Sequence, residues 1–102
     1  MEKYSKNSNF DLDHGSYLVE FSAKWCGTCR KVNRTLLEVE KDVFLKVIQI
    51  DVEEHTDLAK KFNIKGIPVL LYLVNGKEIS RISGSLDEEE FNMWFHKVII
   101  KE

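Results

Sequence analysis

Two short runs of apolar, strand-forming residues place the strongest constraint on the fold of this chain. Residues 17–22 and 69–74 consist almost entirely of Val, Leu, Phe and Tyr, a composition typical of strands that are buried on both faces. Each face of such a strand must be shielded from water by another layer of structure. We therefore predict an α/β fold in which helices cover both faces of a central sheet.

The remaining elements follow from the spacing of apolar residues and from turn residues. Apolar residues recur at nearly helical spacing from Cys26 to about Lys41, which indicates a helix. Asn75-Gly76 is the strongest short-range signal for a two-residue β-hairpin, so the strands on either side of it are expected to pair antiparallel. The predicted elements are strand 17–22, helix 26–41, strand 44–52, helix 56–62, strand 69–74, strand 77–83 and a C-terminal helix. The strands are expected to form a mixed sheet.

Both ends of the chain are harder to interpret than its centre. Residues 1–16 contain either a short helix around residues 9–14 or nothing regular. At the other end, Ser85 and Glu88 match a capping box, in which two side chains satisfy free backbone N–H groups at a helix start. The helix that follows has apolar residues at i, i+3, i+4, i+7 and i+8: Phe91, Trp94, Phe95, Val98 and Ile99.

Length and charge exclude several classes of protein. With 102 residues, the chain is expected to form one domain over residues 1–102, since domains contain roughly 100 to 150 residues. Its net charge of −2 provides no basic excess for nucleic acid or an anionic membrane. The longest apolar run has eight residues, whereas a membrane-spanning helix needs about 20. Residues 1–10 do not resemble a secretory signal, so we expect a cytoplasmic protein.

The two cysteines, Cys26 and Cys29, point to chemistry rather than to structural support. A disulfide between them closes a very small loop and stabilises a fold little. A structural zinc site needs four ligands, and His14, His55 and His96 are too widely spaced to supply the missing ones. We therefore expect no metal and no separate cofactor. The alternative is that both cysteines are inert buried thiols.

Trp25-Cys26-Gly27-Thr28-Cys29 follows a buried strand and opens a helix, and in an α/β chain this motif indicates redox activity. Together with Gly66-Ile67-Pro68, the Asn75-Gly76 hairpin, Gly84 and the closing helix, it resembles the thioredoxin family over about four-fifths of the chain. The resemblance implies a thioredoxin-like fold and thiol-disulfide exchange with protein clients. A helix N-terminus favours the thiolate of Cys26. Cys26 is therefore the expected nucleophile and Cys29 the resolving thiol.

The resemblance also assigns roles to residues around the cysteine pair. Glu20 occupies the position of the family's buried acid, usually Asp, which would accept the proton of Cys29; the alternative is a carboxylate in solvent. Pro68 is expected to follow a cis peptide bond that presents the Ile67 backbone to an extended client. Trp25, for which core packing is the alternative, belongs to the expected client-binding residues, which are Trp25, Gly27, Thr28, Gly66, Ile67, Pro68 and Gly84.

Four residues depart from the family pattern. Thr28 and Arg34 stand where prolines are usual, Ser22 where many members have tryptophan, and Val47 where some have a buried lysine. These differences leave dithiol chemistry intact but bear on the redox potential. The resemblance implies a monomer that is re-reduced by a thioredoxin reductase. The alternatives are a member that oxidises or isomerises disulfides and a non-catalytic interaction module.

Overall fold

The computed structural model describes residues 1–5, 11–42, 45–84 and 87–100. The predicted order of the main elements and the α/β class are confirmed. The elements are β1 (Glu2–Lys3), β2 (Ser16–Ser22), α1 (Gly27–Asp42), β3 (Lys46–Asp51), α2 (Thr56–Lys61), β4 (Val69–Val74), β5 (Lys77–Ser83) and α3 (Glu88–Phe95), which continues as a π-helical turn over His96–Ile100.

The five strands form one mixed sheet in the order β1-β3-β2-β4-β5. Strand β2 lies at the centre, parallel to β3 and antiparallel to β4. Strands β4 and β5 form the predicted antiparallel hairpin. Asn75 and Gly76 both have positive φ at its turn, as a type I′ turn requires. The central position of β2 explains why its sequence is apolar on both faces.

Helices α1 and α3 cover one face of the sheet, which we call the α1 face. Leu18 of β2, Leu36 of α1 and Phe91 of α3 belong to one buried cluster there. Each such large apolar side chain contributes about 1.5–3 kcal/mol when fully buried. Leu37, the next residue along α1 after Leu36, is exposed instead. The apolar cluster fixes α1 against the sheet and thereby fixes the residues at its start.

Helix α2 covers the opposite face, which we call the α2 face. Its Leu58 and the following Phe62 pack against a second buried cluster, which contains Phe21 of the central strand. Alternate residues of β2 thus face different layers, because side chains along a strand point to opposite sides of the sheet. The cluster consists of Tyr17, Val19, Phe21, Ile48, Ile50, Val69, Leu71 and Leu73.

The N-terminal strand β1 was not predicted. It has only two residues, which pair parallel with Ile48 and Gln49 of β3. Beyond it, the backbone N–H of Tyr4 donates to the carbonyl oxygen of Gln49 at 2.7 Å, and the Tyr4 ring packs edge-on against His55. The described part of the suggested helix at residues 9–14 is instead a turn, in which the N–H of His14 bonds to the carbonyl oxygen of Asp11.

The C-terminal helix begins later than the capping box predicted. Asp87 is its N-cap, and its Oδ1 accepts a hydrogen bond of 2.7 Å from the N–H of Glu90. Ser85 lies outside the described residues. At the other end, the π-helical turn changes the angle between successive side chains, so Ile99 and Ile100 pack against the buried cluster of the α1 face.

Candidate active site

Cys26 and Cys29 lie where the central strand gives way to helix α1. Strand β2 ends at Ser22, and Cys26 directly precedes the first residue of α1. The two cysteines form a disulfide with their Cα atoms 5.3 Å apart. The expected position at a helix N-terminus is therefore confirmed, where the first backbone N–H groups have no partner within the helix.

The sulfur of Cys26 lies among hydrogen-bond donors. The backbone N–H of Cys29 donates to Sγ of Cys26 at 3.2 Å, and the hydroxyl oxygen of Thr28 lies 3.4 Å from the same sulfur. The bond from Cys29 is the kind that an N-cap side chain accepts in the first helical turn. Negative charge on this sulfur would be stabilised by these donors and by the helix dipole.

An apolar groove adjoins the disulfide on one side. Trp25 forms part of its wall with 68% of its side-chain surface exposed, and its indole N–H donates to Oε1 of Glu53 at 3.0 Å. The alternative in which Trp25 packs in the core is therefore wrong. The groove has a volume of about 620 Å³ and is lined by Trp25, Cys26, Gly27, Thr28, Val52, Ile64, Lys65, Gly66 and Ile67.

Pro68 and Gly84 lie beside this groove. The peptide bond between Ile67 and Pro68 is cis. The N–H of Gly84 donates to the carbonyl oxygen of Pro68 at 3.1 Å, and Gly84 adopts a φ of +97°, which favours glycine. Pro68 and Gly84 line an adjacent depression, which shares Gly66 and Ile67 with the groove. The structure thus brings five of the seven expected client-binding residues around one groove and places the other two next to it.

A polar cavity adjoins the disulfide on the other side. It has a volume of about 200 Å³ and shares Cys26 with the apolar groove. Cys29 lines this cavity and is 2% exposed, whereas Cys26 lines both cavity and groove and is 5% exposed. The lining of the polar cavity consists of Lys3, Ser22, Ala23, Lys24, Cys26, Cys29, Arg30, Asn33, Gln49 and Asp51.

Glu20 is completely buried, with 0% of its surface exposed, so the alternative of a carboxylate in solvent is wrong. It lies in β2 opposite Gln49 of β3, whose side-chain amide donates to Oε1 of Glu20 at 3.0 Å. Burial raises the pKa of Glu20 to about 7, although the hydrogen bond from Gln49 opposes the increase. A carboxyl group with this pKa can exchange a proton near neutral pH.

Sequence reasoning missed Asn33, which lies one helical turn after Cys29. In the amide orientation that satisfies its donors and acceptors, its nitrogen lies 2.6 Å from both carboxyl oxygens of Glu20 and 3.0 Å from the carbonyl oxygen of Cys29. Its oxygen accepts from the amide of Gln49 at 3.3 Å. Two sequence features could have indicated these contacts. Asn33 is a polar residue four positions after Cys29, and Gln49 is a polar residue within the apolar strand β3.

Three of the departures from the family pattern have distinct surroundings. Val47 is buried in the apolar cluster of the α1 face. Unlike the lysine that some family members have at this position, it carries no charge. Ser22 is buried at the end of β2, and Arg34 is exposed on α1. The partners of the buried acid Glu20 are the amides of Asn33 and Gln49.

The described residues contain neither a metal-binding cluster nor a membrane-spanning helix. In residues 1–5, 11–42, 45–84 and 87–100, there is no cluster of three or more His, Cys, Asp and Glu side chains that could hold a metal ion. Within the same ranges, every helix is too short or too polar to cross a bilayer.

Comparison with known proteins agrees with this geometry. The mitochondrial thioredoxin of Bos taurus is 31% identical over 84 residues, covering 80% of this chain and 51% of the relative. The thioredoxin of Listeria monocytogenes is 32% identical over 91 residues, covering 87% of this chain and 88% of the relative. The chain thus spans about half the length of the bovine relative but most of the bacterial one.

Solved structures agree as well. The crystal structure of a thioredoxin from Nicotiana alata superposes with a TM-score of 0.74 at 28% sequence identity, covering 83% of this chain and 74% of that chain. The sequence model described as Thioredoxin matches residues 2–97. This chain therefore belongs to the thioredoxin family.

Proposed function

We propose that this chain is a thiol-disulfide oxidoreductase that reduces disulfide bonds in protein clients. The observation that carries the proposal is the Cys26–Cys29 disulfide at the start of α1, next to an apolar groove. Sγ of Cys26 accepts a hydrogen bond from the backbone N–H of Cys29. Cys26 also lines the groove, which can accommodate an extended polypeptide. The family membership of residues 2–97 supports the same activity.

In the proposed reaction, two electrons pass from the cysteine pair to the client. The Cys26 thiolate attacks one sulfur of the client disulfide, and the other client sulfur leaves as a thiolate. The Cys29 thiolate then attacks Sγ of Cys26, so the Cys26–Cys29 disulfide forms and the second client thiolate is released. Glu20 accepts the proton that Cys29 loses. A reductase, by the family pattern a thioredoxin reductase, returns the two electrons.

The groove supports an extended client segment as substrate. Trp25 and Ile67 line the groove together with Cys26 and provide apolar contact area, and the backbone around Ile67 can pair with the client as a strand would. Gly27 and Gly66 line the same groove, and ideal Cβ atoms built on them would meet nothing within 4 Å. Pro68 and Gly84 are proposed to extend the contact beyond the groove.

We further propose that residues 1–102 act as a single monomeric domain in the cytoplasm, where thiols are kept reduced. The names of the mammalian relatives place those proteins in mitochondria, which is the alternative compartment. A family member that oxidises disulfides would have a higher reduction potential than one that reduces them. The reduction potential, measured by equilibration with glutathione, therefore distinguishes the two functions.

Cys29→Ser and Cys26→Ser provide the test of the assigned roles. Reduced Cys29→Ser should retain insulin chains as a covalent complex on a non-reducing gel, because the mixed disulfide on Cys26 cannot be resolved. Cys26→Ser should retain little, since Cys29 does not line the groove that a client would occupy. Equal trapping by both variants would contradict the assignment, and failure of the unaltered protein to reduce insulin with dithiothreitol present would favour a binding module.

A further inference from the structure

We infer that Asn33 is a positioning residue, which holds the carboxyl group of Glu20 in place for proton transfer from Cys29, with Gln49 as the second donor. The inference rests on the proposed function, since it assigns a partner to the acid of that reaction. No feature of the family resemblance assigns a role to either amide.

Asn33 is the one side chain shown to hydrogen-bond to both the acid and the resolving cysteine among the described residues. Its nitrogen contacts Glu20 and the carbonyl oxygen of Cys29 at the same time, so it joins strand β2 to the first turns of α1. Asparagine is a poor helix former compared with alanine or leucine. Helix formation and apolar packing therefore do not explain an asparagine at this inward-facing position.

The two amides also determine which protonation state the site favours. Toward Glu20 both groups present N–H donors, which an ionised carboxylate accepts fully, whereas a protonated carboxyl has fewer acceptor positions. Burial acts in the opposite direction, because it disfavours the charged form. Burial raises the pKa of Glu20 to about 7 against the opposing hydrogen bond from Gln49, and loss of a donor would favour the protonated acid further.

No charged side chain supplies this balance within the described part of the molecule. Leu70 of β4 and Gln49 of β3 lie opposite Glu20 in the sheet, and Val47 is apolar. The titratable groups on the neighbouring cavity wall are Cys26 and Cys29 near the start of α1, Lys3 of β1, Asp51 of β3, Lys24 before the helix and Arg30 in it. The causes of the shift at Glu20 are burial and the Gln49 hydrogen bond, without a contribution from these charges.

Asn33 and Gln49 line the polar cavity and not the apolar groove. A client would occupy the groove, which is lined by Trp25 and Ile67. The amide partners of Glu20 therefore lie outside the groove that a client would cover. This arrangement fits resolution of a mixed disulfide, which takes place with the client still attached.

Asn33→Leu tests the inference, because leucine has nearly the same size and no amide. The reduced protein is mixed with excess aromatic disulfide that releases a coloured thiolate. A first phase reports attack by Cys26, and a first-order second phase reports resolution by Cys29. Because this leaving group needs no proton, the pH profile of the second phase reports deprotonation of Cys29.

We expect Asn33→Leu to leave the first phase unchanged and to raise the pH midpoint of the second by about one unit, since each lost donor favours the protonated acid. Its rate at pH 7 should fall several-fold. Val32→Ala is the matched control, because Val32 is the neighbouring buried residue of α1 in the apolar cluster and its truncation destabilises the fold without touching Glu20. Gln49→Leu should shift the midpoint in the same direction and serves if Asn33→Leu does not fold.

Three outcomes are decisive. An unchanged midpoint in the folded amide variant, or an equal shift in Val32→Ala, would overturn the inference. In a Glu20→Gln background, Asn33→Leu should produce no further shift, and a full additional shift would also overturn it. If the unaltered protein shows no second phase at all, the proposed function itself fails, and the inference fails with it.

Discussion

The two faces of the sheet are built from the same strands but differ in what they bury. On the α2 face, the buried cluster is apolar from end to end. On the α1 face, Leu18 and Val47 are followed along their strands by Glu20 and Gln49, and then by the buried Ser22 and Asp51. Polarity therefore increases toward the carboxyl ends of β2 and β3, where α1 begins with the cysteine pair.

The difference shows how one sheet can separate stability from chemistry. Among the described residues, the buried cluster of the α2 face contains no Asp, Glu, His, Lys or Arg, so no buried carboxyl group makes its contribution to stability depend on pH near neutrality. The α1 face contains a buried acid, and this acid is tolerated because Asn33 and Gln49 supply donors. A buried carboxylate without donors costs several kcal/mol.

An acid placed on the α2 face should have the largest effect on stability, and it tests directly whether the two faces differ. Val19 adjoins Glu20 in β2 but faces Ile48 and Leu71 in the register of the sheet. We expect Val19→Glu to lower the free energy of unfolding by roughly 3–5 kcal/mol at pH 8, because no donor compensates its charge. Urea denaturation measures the loss.

Val19→Ala is the control for this experiment, because it leaves a small cavity without a charge. It should cost clearly less than Val19→Glu at the same pH. Equal losses in the two variants would mean that the α2 face accommodates a carboxylate as well as the α1 face does.

The pH dependence of stability provides a second, smaller test. The pKa of Glu20 is raised from 4.5 to about 7 in the folded protein, so between these values the folded state binds more protons than the unfolded state. Stability should therefore decrease as the pH rises from 4.5 through 7, by roughly 3 kcal/mol in total, and then level off.

Glu20→Gln isolates this contribution, because it keeps the shape of the side chain and removes its titration. Urea midpoints of both proteins are compared from about pH 4 to about pH 9, a range that extends beyond the titration window at both ends. The decrease attributed to Glu20 should disappear in the variant. Parallel curves for the two proteins would show that the carboxyl group is ionised at ordinary pH despite its burial.

The smallest expected effect concerns the exposed end of the α1 face. The hydroxyl of Thr28 lies 3.4 Å from Sγ of Cys26, and Thr28 also has a backbone N–H in the first turn of α1, which proline lacks. Donors stabilise the thiolate of the reduced form, so Thr28→Pro should lower the reduction potential by about 30 mV, equivalent to roughly 1.4 kcal/mol. Equilibration with glutathione, followed by tryptophan fluorescence, measures the change.

Thr28→Val separates the two donors, since it removes the hydroxyl and keeps the N–H. We expect its reduction potential to lie between those of the unaltered protein and Thr28→Pro. A potential in Thr28→Pro equal to or above that of the unaltered protein would show that donors at this position do not control the cysteine pair.

Much of the fold followed from local sequence signals. The boundaries of β4 and β5 match the prediction because an apolar run and an Asn-Gly turn define them, and α2 ends one residue earlier than predicted. Strand β1 escaped notice because two residues show no periodicity, and its formation depends on β3 offering a free edge. The cap of α3 was misplaced because Ser85 and Asp87 both match N-cap preferences, and only geometry selects between them.

The site was less predictable than the fold. The cysteine pair and the groove residues follow from a contiguous motif and a family pattern. Burial of Glu20 could be proposed from its place in an apolar strand, but its partners are far apart in the chain, at Asn33 and Gln49. Their hydrogen bonds depend on the distances between side chains of α1, β2 and β3 in the folded chain. Residue spacing in the sequence does not predict those distances.

The edge strands of the described sheet, β1 and β5, affect whether two copies of the chain can associate through their sheets. At one margin of the described sheet, β5 exposes Lys77 and Arg81, and its pairing with β4 shifts register between Tyr72 and Leu73. At the other, β1 offers only two residues. Charged side chains, irregular pairing and very short edge strands all hinder the addition of a foreign strand. Edge-to-edge aggregation is therefore disfavoured at both margins of a sheet whose interior is strongly apolar.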